Sequence, residues 1–188
     1  MKRRKFLQGL GVLPMLSVMQ TNSTAASVSA KQVIPLDKPH DAWRGIVSVE
    51  AYQVLFEEET EAPGSSALNR EHREGAYICA ACYLPLFESQ HKYESGTGWP
   101  SFTQPIADHI GTRRDYKLIW PRTEYHCARC GGHQGHVFNY GPLPRKQRWC
   151  NNGLALQVVP SENVLPQLRG EGECTYEYFI QSDLCEML

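Results

Sequence analysis

The chain has 188 residues, 41% of them hydrophobic and 21% charged, a balance that fits a soluble globular protein with a core of its own. Its net charge of −1 hides an asymmetry: residues 1–30 carry Lys2, Arg3, Arg4 and Lys5 and no acid, so the remainder holds 15 basic against 20 acidic residues, a net of −5. An acidic body excludes nucleic-acid binding as the main activity, and 15 Gly with 12 Pro favour short strands and turns over a helix bundle.

At the N-terminus, Arg3-Arg4-Lys5-Phe6-Leu7 precedes an apolar run from Leu10 to Met19, then small residues ending in Val28-Ser29-Ala30. This is the layout of a secretory signal, and the apolar run, interrupted by Pro14, is too short to span a bilayer. The paired arginines before Phe-Leu resemble a twin-arginine signal. Residues 1–30 are therefore expected to be a cleaved signal peptide. The twin-arginine export machinery is then a partner, and the bacterial periplasm or the exterior is the destination. Residues 31–44 read as a lead-in in which Pro35 and Pro39 discourage regular structure. Ser48 is placed to cap a helix through Phe56, with Val49, Tyr52 and Phe56 at spacings of three and four. Residues 57–75, with Pro63-Gly64-Ser65-Ser66, read as loop. From Gly75 onward, short apolar runs broken by turns predict strands at Ala76–Cys79, Leu84–Phe87, Tyr116–Trp120, Thr123–His126, His136–Asn139 and Leu154–Val159. The prediction is a mainly β, antiparallel domain over residues 45–160, ended by Pro160. In the tail, residues 161–188, Thr175–Ile180 reads as an edge strand.

Cys79-Ala80-Ala81-Cys82 and Cys127-Ala128-Arg129-Cys130 are two Cys-x-x-Cys pairs, each ending a predicted strand. Two intervening residues let one tight turn aim both sulfurs at a single ion. Two such turns close a tetrahedron around one structural zinc, with no open position for chemistry. Such an ion would staple distant parts of the sheet. The alternatives are two disulfides, which export permits, and a redox pair, which usually opens a helix. His133 and His136 could also join Cys127 and Cys130 around a metal.

Several blocks in order, spanning roughly residues 45–160, resemble the zinc-containing methionine-R-sulfoxide reductase family. They are Ser65-Ser66-Ala67-Leu68-Asn69, Gly75-Ala76-Tyr77-Ile78-Cys79, Pro85-Leu86-Phe87-Glu88-Ser89, and the run from Lys92 through Gly96-Thr97-Gly98-Trp99-Pro100-Ser101-Phe102. His133-Gln134-Gly135-His136-Val137-Phe138 and Arg148-Trp149-Cys150-Asn151-Asn152 complete the set. The resemblance implies two antiparallel sheets, a structural zinc, and thiol-dependent reduction of methionine R-sulfoxide, free or in proteins. Repair of oxidised proteins under oxidative stress follows from that activity.

Such a reaction needs a thiolate, an acid for the departing oxygen and an apolar pocket for the methyl-sulfur end. Cys150 is the candidate nucleophile, because the metal occupies the paired cysteines; alone, it would read as a small buried hydrophobe. Arg148, two positions away and on the same face of a strand, is a candidate electrostatic partner that favours the thiolate. His136 is the candidate acid and His133 its support. Asn152, also read as sharing the strand face of Cys150, is a candidate donor to the developing hydroxyl. Trp99 offers a wall for the substrate methyl, with Phe102 either completing that wall or packing in the core.

The chain departs from the family pattern in four places. Thr97 stands where some members carry a resolving cysteine, Tyr140 where Asp is common, Trp149 where Tyr is usual and Asn151 where an aliphatic residue is usual. Cys174 and Cys185 either pair with each other or resolve Cys150; otherwise an outside thiol reductant acts directly on the sulfenic acid. A monomer is expected. A non-catalytic zinc-ribbon binding module explains the four paired cysteines equally well but leaves Cys150, Arg148 and Asn152 without a purpose. A thiol-disulfide oxidoreductase built on Cys174 and Cys185 lacks the usual Cys-x-x-Cys spacing.

Overall fold

The computed structural model describes residues 33–117 and 120–170. The signal segment, the Thr175–Ile180 stretch, Cys174 and Cys185 lie outside these residues. Ser48 caps helix α1 (Val49–Glu57) as expected, its Oγ accepting from the Ala51 N–H at 3.1 Å. The buried face of α1 is Ala51, Tyr52, Val54 and Leu55, whereas Val49 is 71% exposed. The lead-in is less irregular than its prolines suggest: His40–Trp43 forms a 3-10 turn that buries Trp43 against Phe56.

Among the described residues, nine strands form two antiparallel sheets. The small sheet has the order β2 (Pro85–Glu88), β1 (Gly75–Cys79), β9 (Leu156–Pro160). The large one has the order β3 (Lys92–Tyr93), β4 (Ser101–Phe102), β8 (Arg148–Asn151), β7 (His133–Phe138), β6 (Arg122–Cys127), β5 (Ile110–Asp115). Aromatic rings tie the sheets together. Phe102 of β4 stacks on Phe87 of β2 with centroids 4.1 Å apart and meets Tyr77 of β1 edge-on, and Tyr125 of β6 meets both Phe87 and Trp149 edge-on.

Of the predicted strand at Tyr116–Trp120, residues 118 and 119 lie outside the described residues, and Tyr116, Lys117 and Trp120 are not in a strand. The strand before them is Ile110–Asp115, and Trp120 is 81% exposed. As the outer strand of its sheet, β5 has little to bury and carries Arg113, Arg114 and Asp115, so hydrophobic patterning misses it. β7 begins at His133, not His136. The run at 154–159 opens with a 3-10 turn, Gly153–Ala155, before β9, and residues 57–75 contain another at Ala67–Arg70. Among the described residues no helix is long and apolar enough to cross a membrane.

Candidate functional site

The two Cys-x-x-Cys turns repeat one geometry. In each, the N–H four residues after the first cysteine returns to that cysteine's carbonyl: Tyr83 to Cys79 at 3.0 Å and Gly131 to Cys127 at 2.9 Å. The residue after each second cysteine is left-handed, Tyr83 at φ 64° and Gly131 at φ 73°. Glycine announces the second turn; a tyrosine hides the first. All four sulfurs are buried and lie within 4.8 Å of one another, with Cys79–Cys130 at 3.6 Å and Cys82–Cys127 at 3.5 Å. Bonds of about 2.3 Å to a tetrahedral ion require sulfurs about 3.8 Å apart, so the set fits one metal ion and not two disulfides. Cys79 ends a strand of the small sheet and Cys127 one of the large sheet. His133 and His136 are outside the cluster.

Cys150 stands apart, on β8. It faces His136 across β7 and Ser101 across β4 in register. Residues directly opposite in an antiparallel pair share a face. Both Cys150 and His136 line a cavity of about 180 Å³ with Trp99, Phe138, Arg148 and Asn152. Close approach of β7 to β8 depends on Gly135, where a Cβ would lie 1.9 Å from the Cys150 carbonyl oxygen. Burial pushes the Cys150 thiol above its ordinary value, against the lowering effect of the Arg148 charge and of hydrogen bonds from Arg148 and Thr97. The net direction favours the protonated thiol.

Arg148 does share a face with Cys150. It is buried among Thr97 (Nη1 to Oγ1, 3.1 Å), Tyr140 (Nη2 to the phenol oxygen, 2.9 Å) and the Phe138 ring. The Tyr140 departure thus supplies a partner for the arginine. Asn152 reaches the cavity by a different route from the one expected, since β8 ends at Asn151 and Asn152 opens the Gly153–Ala155 turn. Its Oδ1 accepts from the Glu61 N–H at 3.2 Å and its Nδ2 donates to the Gln134 carbonyl at 3.1 Å, leaving a second amide proton. Trp99 is a half-buried wall held by its indole N–H on the Glu61 carbonyl, 3.1 Å away.

Two of the candidates lie outside the cavity. Phe102 is fully buried in the aromatic core and lines no part of the cavity; Phe138 stands there instead. His133 does not line the cavity either: it is buried beside Glu124, Nδ1 to Oε1 2.8 Å, and meets the His136 ring edge-on. His136 contacts Asp115 through Nε2 at 2.8 Å. Burial lowers its pKa, against the opposing pull of Asp115, so the imidazole is neutral near pH 7. Burial alone would raise the Asp115 carboxyl. The Lys117 N–H, His136 and Arg122 outweigh it and hold the group well below the usual range. An ionised Asp115 accepts a hydrogen bond from Nε2–H, which leaves Nδ1 of neutral His136 as an acceptor.

A model of the SelR domain matches residues 47–160. The chain is 47% identical over 124 residues to a peptide methionine sulfoxide reductase MsrB of Bradyrhizobium diazoefficiens, covering 65% of this chain and 89% of the relative. It is 44% identical over 128 residues to the one of Pseudomonas putida (68% and 98% covered) and 41% over 129 residues to the one of Methanosarcina mazei (68% and 92% covered). The chain belongs to the peptide methionine-R-sulfoxide reductase family.

Sequence reasoning missed several residues around the cavity of this reductase. Glu61, in a segment read only as loop, accepts from the N–H groups of Gly153 at 2.6 Å and Leu154 at 3.1 Å. It thereby fixes the turn that Asn152 opens. Asp115 sits at the end of β5. Gln134 is fully buried between the cavity and the cysteine cluster. None carries a local signal, because each acts on a partner far along the chain.

Proposed function

We propose that this chain reduces methionine R-sulfoxide at Cys150. The carrying observation is one free cysteine in a cavity with His136, Asn152 and Trp99, separate from four cysteines gathered elsewhere. Trp99 and Phe138 receive the methyl-sulfur end, and the second amide proton of Asn152 binds the sulfoxide oxygen. Nδ1 of His136 takes the Cys150 proton as the sulfur attacks, then delivers it to that oxygen. Arg148 supports the negative charge on sulfur as it forms. The sulfoxide S–O bond breaks and two electrons pass from Cys150 to the substrate sulfur. Methionine leaves as the thioether, and Cys150 keeps the oxygen as a sulfenic acid. Two external thiols then restore Cys150, giving one disulfide and one water. Cys174 or Cys185 supplying one of those thiols is the second route.

The four paired cysteines hold zinc, whose preference for four thiolates in a tetrahedron matches the sulfur spacing. Held by Cys79, Cys82, Cys127 and Cys130, it would supply stability and not chemistry. Residues 1–30 direct twin-arginine export to the periplasm and are cleaved after Ala30. N-terminal sequencing of the exported protein should begin at Lys31.

Cys150→Ser should abolish methionine formation from the R epimer while zinc content stays at one per chain. Retained turnover, or consumption of the S epimer alone by the unsubstituted enzyme, would refute the assignment. Mass spectrometry after one substrate equivalent without reductant should show Cys150 gaining one oxygen; a disulfide to the tail would favour the second route.

A further inference from the structure

Between the cysteine cluster and β8 runs a buried chain of polar groups. The Tyr125 hydroxyl donates to Asn151 Oδ1 at 2.7 Å. Asn151 Nδ2 donates to Gln134 Oε1 at 3.3 Å and to the Asn152 carbonyl at 2.7 Å. Gln134 Nε2 donates to the Cys79 sulfur at 3.6 Å. The order has one direction. A phenol proton given to Asn151 fixes its amide, which fixes that of Gln134, which then must point an N–H at Cys79. Tyr125, Gln134 and Asn151 are all fully buried. The main chain of Gln134 adds a second link, its carbonyl accepting both the Asn152 backbone N–H at 2.8 Å and Asn152 Nδ2 at 3.1 Å.

Stability alone does not call for this arrangement. Replacing both partners of a buried hydrogen bond by apolar groups of the same shape is close to neutral. What polar groups add is a defined position and a preference for charge on Cys79. An N–H aimed at a sulfur stabilises it as a thiolate, the form a metal binds.

We propose that Gln134 is a positioning residue that couples the metal centre to the catalytic strand, with Asn151 as its intermediary. A bound ion fixes the Cys79 sulfur, Cys79 fixes the Gln134 amide, and Gln134 with Asn151 holds the main chain immediately after Cys150 and the amide of Asn152. The catalytic half of this inference rests on the function proposed above; the metal half does not.

The test is a double-mutant cycle on the zinc-loaded enzyme with Gln134→Met and Asn151→Leu, both apolar and near in volume. Each single variant should speed zinc loss to a chelating dye and slow single-turnover reduction by about tenfold, with KM unchanged. The Asn151 side chain bonds Tyr125, Gln134 and the Asn152 carbonyl and none of the four paired cysteines, so its effect on zinc loss is the decisive one. The double variant should be no worse than the poorer single. Multiplying effects, or faster zinc loss with unchanged turnover and unchanged alkylation of Cys150 by iodoacetamide, would overturn the coupling. Iodoacetamide reads the position of Cys150 without reference to catalysis, so failure of the reductase assignment is distinguishable. Should the variants fold poorly, hydrogen exchange of the unsubstituted protein decides. Stripping zinc should raise exchange at 148–155 together with the two cysteine turns. A rise confined to those turns, or spread evenly over all strands, would overturn it.

Discussion

At the scale of single residues, the site is set by groups that oppose one another around Cys150. Burial raises its pKa, and Arg148 and Thr97 lower it. Alkylation by iodoacetamide, which follows the thiolate, should therefore have a midpoint above that of an unperturbed cysteine in the free enzyme. Arg148→Met should move that midpoint further up. His136 depends on Asp115 for its tautomer. Asp115→Asn should cut kcat on the order of 10²-fold, the low end of what positioned proton transfer contributes, with KM little changed. The same carboxylate gives a stability prediction. Asp115 and Glu124 both have depressed pKa values in the fold. Their contribution is complete above the unfolded values near 4 and is lost as pH falls through and below them. Asp115→Asn and Glu124→Gln should each flatten the loss of stability between about pH 5 and pH 3 in denaturant titrations.

At the scale of elements, the β7–β8 pair brings His136 and Cys150 together, and Gly135 permits their approach. Gly135→Ala places a methyl group against backbone that cannot swing away. It should lower both stability and turnover, whereas Ser48→Ala, removing only the cap of α1, should cost about 1 kcal/mol and leave kcat intact. Thermal unfolding with parallel assays separates the two. The sequence showed what is local: the Ser48 cap, the two Cys-x-x-Cys turns, and the strands ending in Cys79 and Cys127. It did not show β5, whose exposed edge position removes the hydrophobic pattern, or β3 and β4, two residues each. Arg148 and Cys150 share a face because strand residues two apart always do. Asn152 reaches the cavity although the strand ends one residue earlier, so strand periodicity does not account for its place. Phe102 could not be told from a pocket residue by its neighbours in sequence; the rings of Phe87 and Tyr77, brought by another sheet, decide it.

At the scale of the whole molecule, the cysteine cluster is where the two sheets and the described segments flanking the domain meet. The turn after Cys127 accepts the lead-in, the Leu36 N–H bonding the Arg129 carbonyl at 2.6 Å. The Cys82 carbonyl accepts the Arg169 N–H at 3.0 Å, and the Arg169 carbonyl accepts from Arg129 Nη1 at 2.5 Å. Loss of the ion should therefore loosen segments far apart in sequence at once. Cys82→Ser and Cys127→Ser remove one ligand each from opposite turns, yet both destroy the same tetrahedron. Each should lower Tm by at least about 10 °C, equivalent to about 3–5 kcal/mol for a chain of this size. The double variant should fall little further, because a site already emptied cannot be emptied again. Limited proteolysis of either variant should cut first within residues 33–47 and 161–170, which the intact turns hold down. Two falls in Tm that simply add would mean that the four sulfurs stabilise the fold as separate buried side chains and that no shared ion joins the sheets.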